Sequence, residues 1–490
     1  MLSQLPTWAQ ELVAIGGLLA VIVFVLRRLP KVELGHSQAF LQRRLLNWLP
    51  LGLTYAFLYM ARYNINVAKI TGLWTKEELG VITFWGALVY GCSFVINGPL
   101  ADRFGGRRTI LVAAVGAALA NLAMGLIVMT GVASTQVKVV YSALYAANMY
   151  FQSFGAVSIV KVNSSWFHVR ERGVFGGVFG ILISLGIYFA YDWGKVIVRT
   201  DGGLGLPVEW VFFIPTAILL AFFAVDYILV FDSPGKAGHA DFDTADASSG
   251  EEAAPRMTVA QVATRMATNP IIVTIALIEL CSGFIRGSVM KWTFVFMAET
   301  GGSGSFAANH WGALLCVAGI LGGVFAGVVS DKLFQSRRGP SAVILYALGG
   351  LTLLLGAVAI EAQAIVYVLV MTILSVIGVH GMLSGTASAD FGGRKNTGIA
   401  VGLIDGMVYL GFATQAMVMG KILPVGAAQA DPANWRAWLW VTLPFAVIGL
   451  FLAIRLWHAL PEATRRQVEA SAAKAASVDA RAGEAEAASS

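Results

Sequence analysis

GPLADRFGGRR (Gly98–Arg108) and GVVSDKLFQSRRG (Gly327–Gly339) are two versions of one string. Each begins on glycine, places an aspartate before a basic residue, and ends on an arginine pair. Each also follows the second apolar run of a set of six. A single basic loop is what any membrane chain retains on its inner face, but two copies in register make an internal repeat.

Working outward from the two loops, the rest of the 490 residues reads as lipid-facing helix. Hydrophobic residues make up 57% and charged residues 13%, and the mean hydropathy is +0.73. A soluble protein carries about twice that charged fraction, because water must wet its outside. A helix needs about 20 apolar residues to cross the hydrocarbon core. Apolar runs centre on Tyr55, Val89, Val115, Tyr150, Ile183 and Ile218, then on Ile278, Gly319, Gly350, Ile373, Met407 and Phe445, with one more run before them. The expected fold is an all-α membrane protein of two pseudo-symmetric six-helix bundles with an extra N-terminal transmembrane helix. Its segments are the extra helix at 8–28, the first half at 45–232, a flexible linker at 233–266, the second half at 267–460 and a polar tail at 461–490 that is expected to be disordered.

The net charge of +6 is expected to reflect loop arginines and lysines rather than a nucleic-acid partner. Basic clusters around Arg27, Arg43, Arg103, Arg170, Lys332 and Arg394 fall on one side, while the loops at 299–310 and 361–364 contain no Lys or Arg. That pattern puts the linker and C-terminus in the cytoplasm and the N-terminus in the periplasm, for a multi-pass chain of the inner membrane. The three cysteines, Cys92, Cys281 and Cys316, sit in apolar runs with no metal-ligand spacing. No GxxxxGK[ST] string occurs, so neither a cofactor nor ATP is expected, and no nucleophile–base set suggests an enzyme.

The two loops resemble the signature loop of the major facilitator superfamily. The resemblance implies the fold above, a monomer, and a conformational latch across the cytoplasmic face built from Gly98, Asp102, Arg103, Arg107 and Arg108 with Asp331, Lys332, Arg337 and Arg338. Its glycines are expected to let helices approach closely.

A guanidinium inside the bilayer costs several kcal/mol, so it persists only against a cavity, an acid or a substrate. Arg62 lies 40 residues before Asp102 and Arg286 lies 45 before Asp331, nearly equivalent points of the repeat. A two-fold axis brings them face to face, where an anion between them relieves their repulsion and a guanidinium fork suits phosphate. In the alternative reading Arg286 pairs with Glu279, seven residues earlier on the same helical face. The strings YMARYNINV, NSSWFHVRERG, GFIRGSVMKW and SDKLFQSRRG resemble the organophosphate:phosphate antiporters, in which the arginines matching Arg62 and Arg286 hold the phosphoryl group. The chain departs from that pattern at Tyr63, Phe94 and Ser165, so the resemblance names no particular substrate. The implied ligand is a small phosphorylated anion exchanged for phosphate.

Further candidates for substrate contact are Asn66, Gln152, Lys161, Asn163, Tyr188, His380 and Tyr409; for the asparagines and glutamine, hydrogen bonding between helices is the competing reading. Asp405, Lys291 and Glu279 are candidates for gating, proton carriage or ion pairing, with Asp405 expected to meet Lys161 or Lys291. Two other functions stay open: a transporter-like sensor of hexose phosphate with a signalling partner on the extra helix, and a proton-coupled carrier of another anion.

Overall fold

The computed structural model describes residues 7–28, 34–131, 133, 135–168, 171–244, 261, 264, 267–334, 337–362, 364–387 and 397–459, with the side chains at 7–8, 11, 28, 95, 102, 172–177, 331, 385–387, 397–401 and 403 outside that description. The tail at 461–490, expected to be disordered, therefore lies outside the described residues, as does most of the linker at 233–266. Among the described residues there is no strand. The helices are α1 (Thr7–Arg28), α2 (Gln38–Ile70), α3 (Lys76–Phe104), α4 (Gly106–Thr130), α5 (Val137–Trp166), α6 (Arg172–Tyr188) continued through a π turn into α7 (Gly194–Val198), and α8 (Trp210–Leu229). After the linker come α9 (Pro270–Glu299), the short α10 (Phe306–Asn309), α11 (Trp311–Val328), α12 (Arg338–Val358), α13 (Ile365–His380), α14 (Thr397–Ile422) and α15 (Arg436–Arg455).

Local sequence sets the helix starts. Ser37 caps α2 by accepting from the Phe40 amide at 3.2 Å. Thr75 and Glu78 form a reciprocal capping box on α3, which is the pattern that satisfies two otherwise orphaned amides. Asn269 caps α9, with Pro270 in the first helical position, where its missing N–H costs nothing. Eight of the described helices are long and apolar enough to cross a membrane. Helices α2 and α5 are more polar because they carry Arg62, Asn64 and Asn66 and Asn148 and Gln152, all buried inside the protein.

Two seams join the halves, α3 against α14 and α6 against α11. The second spanning helix of one half meets the fifth of the other in both seams, which is what a two-fold relation between the halves requires. The first seam is closed by glycine: a Cβ on Gly80 would lie 2.6 Å from the Ala416 carbonyl oxygen and 3.0 Å from the Gly420 Cα. Gly80→Ala is accordingly expected to destabilise the protein by about 1–3 kcal/mol, as overpacking generally does. Thermal unfolding of the purified protein checks this, and an unchanged midpoint would mean that the seam separates without cost. The loop glycines divide: Gly98 and Gly327 would meet nothing within 4 Å, whereas a Cβ on Gly106 would lie 2.6 Å from Val162 and one on Gly339 closer still to the Leu456 carbonyl oxygen, so the close approach is made by these two.

Helix α1 lies along the second seam. Its Ala14, Leu18 and Val25 pack on Ile181 of α6 and on Ala313, Cys316 and Ile320 of α11, together with Tyr188. Tyr188 is thus part of this packing. The opposite face of α1, with Leu12, Leu19 and Phe24, is exposed.

Candidate functional site

Arg62 projects from the C-terminal third of α2 and is 1% exposed. Its Nε donates to Gln152 Oε1 at 2.9 Å and its Nη1 to the Tyr409 hydroxyl of the other half at 2.7 Å. The faces of Tyr59 and Tyr90 lie 4.5 and 4.4 Å from its guanidinium carbon, a cation–π arrangement that holds the charge without neutralising it. Its Nη2 is buried without a partner. Gln152 is itself oriented by Asn148, whose amide donates to the Ala61 carbonyl at 3.0 Å. The arginine is therefore fixed by a polar network from α5, with one donor left over.

Arg286 of α9 leans on the Phe412 ring at 5.8 Å, one helical turn beyond the residue that binds Arg62. The Tyr409 and Phe412 rings stack at 5.6 Å, so neighbouring turns of α14 carry the two arginines. The Nε of Arg286 is also buried without a partner. Glu279 does not pair with it; its carboxylate meets His380 at 3.0 Å. Asp405 likewise bonds the Ser384 hydroxyl rather than Lys161 or Lys291.

Between the halves lies a cavity of about 40 Å³, lined by Arg62, Asn66, Thr83, Tyr145, Lys291 and Tyr409 among others. Among the described residues that line it, none is acidic. It is far below the roughly 300 Å³ of a small-molecule site, so a substrate enters only when the halves part. Asn66 donates to the Tyr191 hydroxyl at 2.9 Å, and Lys291 donates to Thr83 across the halves at 2.8 Å. Lys161 and Asn163 do not line the cavity; both atoms of the Asn163 amide are buried without a partner. The tyrosine cage and Thr83 were not singled out from sequence, although Tyr59, three residues before Arg62, shares its helical face.

Polar bonds between the halves gather at the end opposite the two basic loops. Lys69 donates to Glu299 at 3.0 Å, Lys76 pairs with the other oxygen of the same carboxylate, and Asp192 accepts from the Gly312 and Ala313 amides. Burial, with Arg199 and Lys195 nearby, pushes the neighbouring His310 imidazole down to about 4, so this end has no histidine charge near neutral pH. At the loop end, within its own half, Arg107 donates its backbone amide to the Asp232 carboxylate and its guanidinium to the Tyr227 carbonyl, and Arg338 donates to the Ser330 hydroxyl. Arg103, Arg108 and Lys332 are exposed and Arg337 is half-buried, while the Asp102 and Asp331 side chains lie outside the described residues.

The sequence profile of the Major Facilitator Superfamily matches residues 51–416. The chain belongs to that superfamily. This major facilitator is 25% identical over 448 residues to the membrane sensor protein UhpC of Salmonella typhimurium, covering 88% of this chain and 93% of that one. It is 24% identical to a probable hexose phosphate transport protein of Chlamydia trachomatis, covering 84% and 91%, and 24% identical to the glycerol-3-phosphate transporter of Bacillus subtilis, covering 86% and 94%. The structure of a bacterial homolog of the human lysosomal transporter Spinster superposes with a TM-score of 0.65 at 16% identity, covering 86% and 98%. At that identity the likeness speaks for the fold, and the major facilitator architecture agrees with the helix order above.

Proposed function

We propose that this major facilitator is a secondary transporter of a phosphorylated organic anion, working by alternating access and exchanging its substrate for inorganic phosphate. The observation that carries the reading is the pair of buried arginines, on α2 and α9, that rest against adjacent turns of α14, each with an unpartnered N–H donor, the first of them lining a cavity with no acidic residue among its described lining. Unpaired buried donors are expensive, and a phosphoryl group supplies acceptors and negative charge together. The relatives named for hexose phosphate and glycerol-3-phosphate transport support the same ligand class.

In this reading the basic loops face the cytoplasm of a cell whose inner membrane holds the protein, with the N-terminus outside. The structure is then the state sealed toward the exterior by Glu299 and its lysines. An anion between the arginines offsets their repulsion and lets the loaded halves reorient, whereas the empty cationic site resists it, and this difference enforces exchange. The protein is a carrier and performs no covalent chemistry on its substrate.

The test is uptake of labelled phosphate into proteoliposomes preloaded with phosphate. Uptake that requires internal phosphate is expected. Binding of phosphate or sugar phosphate by folded protein without any exchange would replace the carrier by the sensor, a reading that the likeness to UhpC keeps open.

A further inference from the structure

Lys291 is the cation of the cavity that the phosphoryl clamp does not use. It is 7% exposed, it lines the cavity, and its ammonium donates to a neutral acceptor, Thr83 Oγ1. That hydroxyl in turn donates to the Leu79 carbonyl at 2.7 Å. The two buried lysines at the sealed end differ, because Lys69 and Lys76 share the carboxylate of Glu299. Among the described residues no carboxylate pairs with Lys291. A lone ammonium in a dry interior is tolerated only where something supplies the missing charge.

We propose that Lys291 receives a second acidic group of the substrate, so that the transported molecule is a small two-headed anion carrying a phosphoryl group at one end and a carboxylate at the other. This rests on the phosphoryl reading of Arg62 and Arg286. Lys291 follows Arg286 by five residues on α9, a rise of about 7.5 Å along the helix axis. The five residues also turn the side chain by about 140° around α9, so it is the cavity that brings the ammonium to the phosphoryl site: Lys291 and Arg62 both line it, and a small substrate held by Arg62 meets both. A sugar phosphate, whose sugar end is uncharged, would fill the same space with hydroxyls, which leave the lysine charge uncompensated. Thr83 keeps the ammonium in place between substrates, and because it belongs to α3 of the other half, the second head would be bound where the halves meet.

The experiment compares how well 3-phosphoglycerate and glycerol 3-phosphate displace labelled phosphate from the purified full-length protein, and repeats the comparison for Lys291→Met and Lys291→Arg. The two competitors differ in the carboxylate. A preference of about tenfold or more for 3-phosphoglycerate is expected in the wild type, since a hydrogen bond to a charged group is commonly worth that much. Lys291→Met is expected to bring the ratio close to one, and Lys291→Arg to keep it above one. The readout is a ratio, so a general loss of affinity does not imitate the effect, and the wild-type ranking decides even if neither variant folds. A wild type that prefers glycerol 3-phosphate, or a Lys291→Met protein that retains the preference, overturns the proposal while leaving the phosphoryl clamp standing. Failure of folded wild type to bind phosphate at all overturns the clamp and this inference with it.

Discussion

Arg62→Lys is expected to lower phosphate exchange in proteoliposomes by about a hundredfold or more, with the protein still folded. The guanidinium does three things that an ammonium cannot do together. Its Nε holds Gln152, its Nη1 holds Tyr409 of the opposite half, and its Nη2 remains free to meet an acceptor. Lysine offers a compact point charge on a shorter, rounder group, so whichever partner it keeps, it loses the planar fork that addresses two phosphoryl oxygens. Hydrogen bonds to charged groups are worth about 1.5–3 kcal/mol each, and losing one to the substrate and one across the halves reaches the stated factor. Tyr409→Phe is the graded companion. It removes the hydroxyl while keeping the ring that packs on Tyr90 at 4.1 Å, so a loss of about tenfold is expected from the single bond. Exchange rates at saturating and limiting phosphate, with thermal unfolding as the folding control, measure both. Wild-type exchange in Arg62→Lys would show that the site does not read phosphoryl geometry and would remove the central support for the proposed function.

The parts of this molecule that sequence reveals are those set by the solvent. Lipid demands about 20 apolar residues per crossing and leaves no doubt about the helix order, and a buried arginine announces itself because the bilayer makes it costly. Arg62 could be read for that reason. Its partners could not, because a helix pattern fixes which residues share a face but not the angle at which that face meets a neighbour. Glu279 shares a face with Arg286, yet α9 turns it toward His380 on α13. Asp405 lies within reach of Ser384 instead of a lysine. The network from Ala61 through Asn148 and Gln152 to Arg62 spans two helices far apart in the chain, and its members look in sequence like ordinary polar glue. Lys69, Lys76 and Glu299 sit at helix ends, where snorkelling or solvation is the usual reading, so only the fold reveals that they meet.

That meeting leads to the largest conformational effect expected here. Glu299→Gln should open the sealed end. Both lysines that use this carboxylate are buried, Lys69 at 7% and Lys76 at 3% exposed, and they come from α2 and α3 whereas Glu299 ends α9, so the contact exists only while the halves are together at this end. Lys76 retains the Pro424 carbonyl and Gln429, but the substitution leaves two cations side by side with no anion between them. Removing one partner of a buried ion pair costs about 3–5 kcal/mol, and water solvates the same lysines once the end opens, so the cost falls on the closed state alone. An equilibrium shift of that size changes the population ratio by about two to four powers of ten. Ala87 lines the cavity, and Ala87→Cys in a background without Cys92, Cys281 and Cys316 reports access from the exterior through its labelling by a membrane-impermeant thiol reagent. Labelling should rise by at least tenfold with Glu299→Gln, and Lys69→Glu combined with Glu299→Lys should lower it only in part, since the exchanged pair is restored while Lys76 then faces a second cation. If the single substitution leaves labelling unchanged, the ion pairs follow closure rather than hold it, and the glycine seam around Gly80 with the Asp192 cap on α11 must carry the closing force.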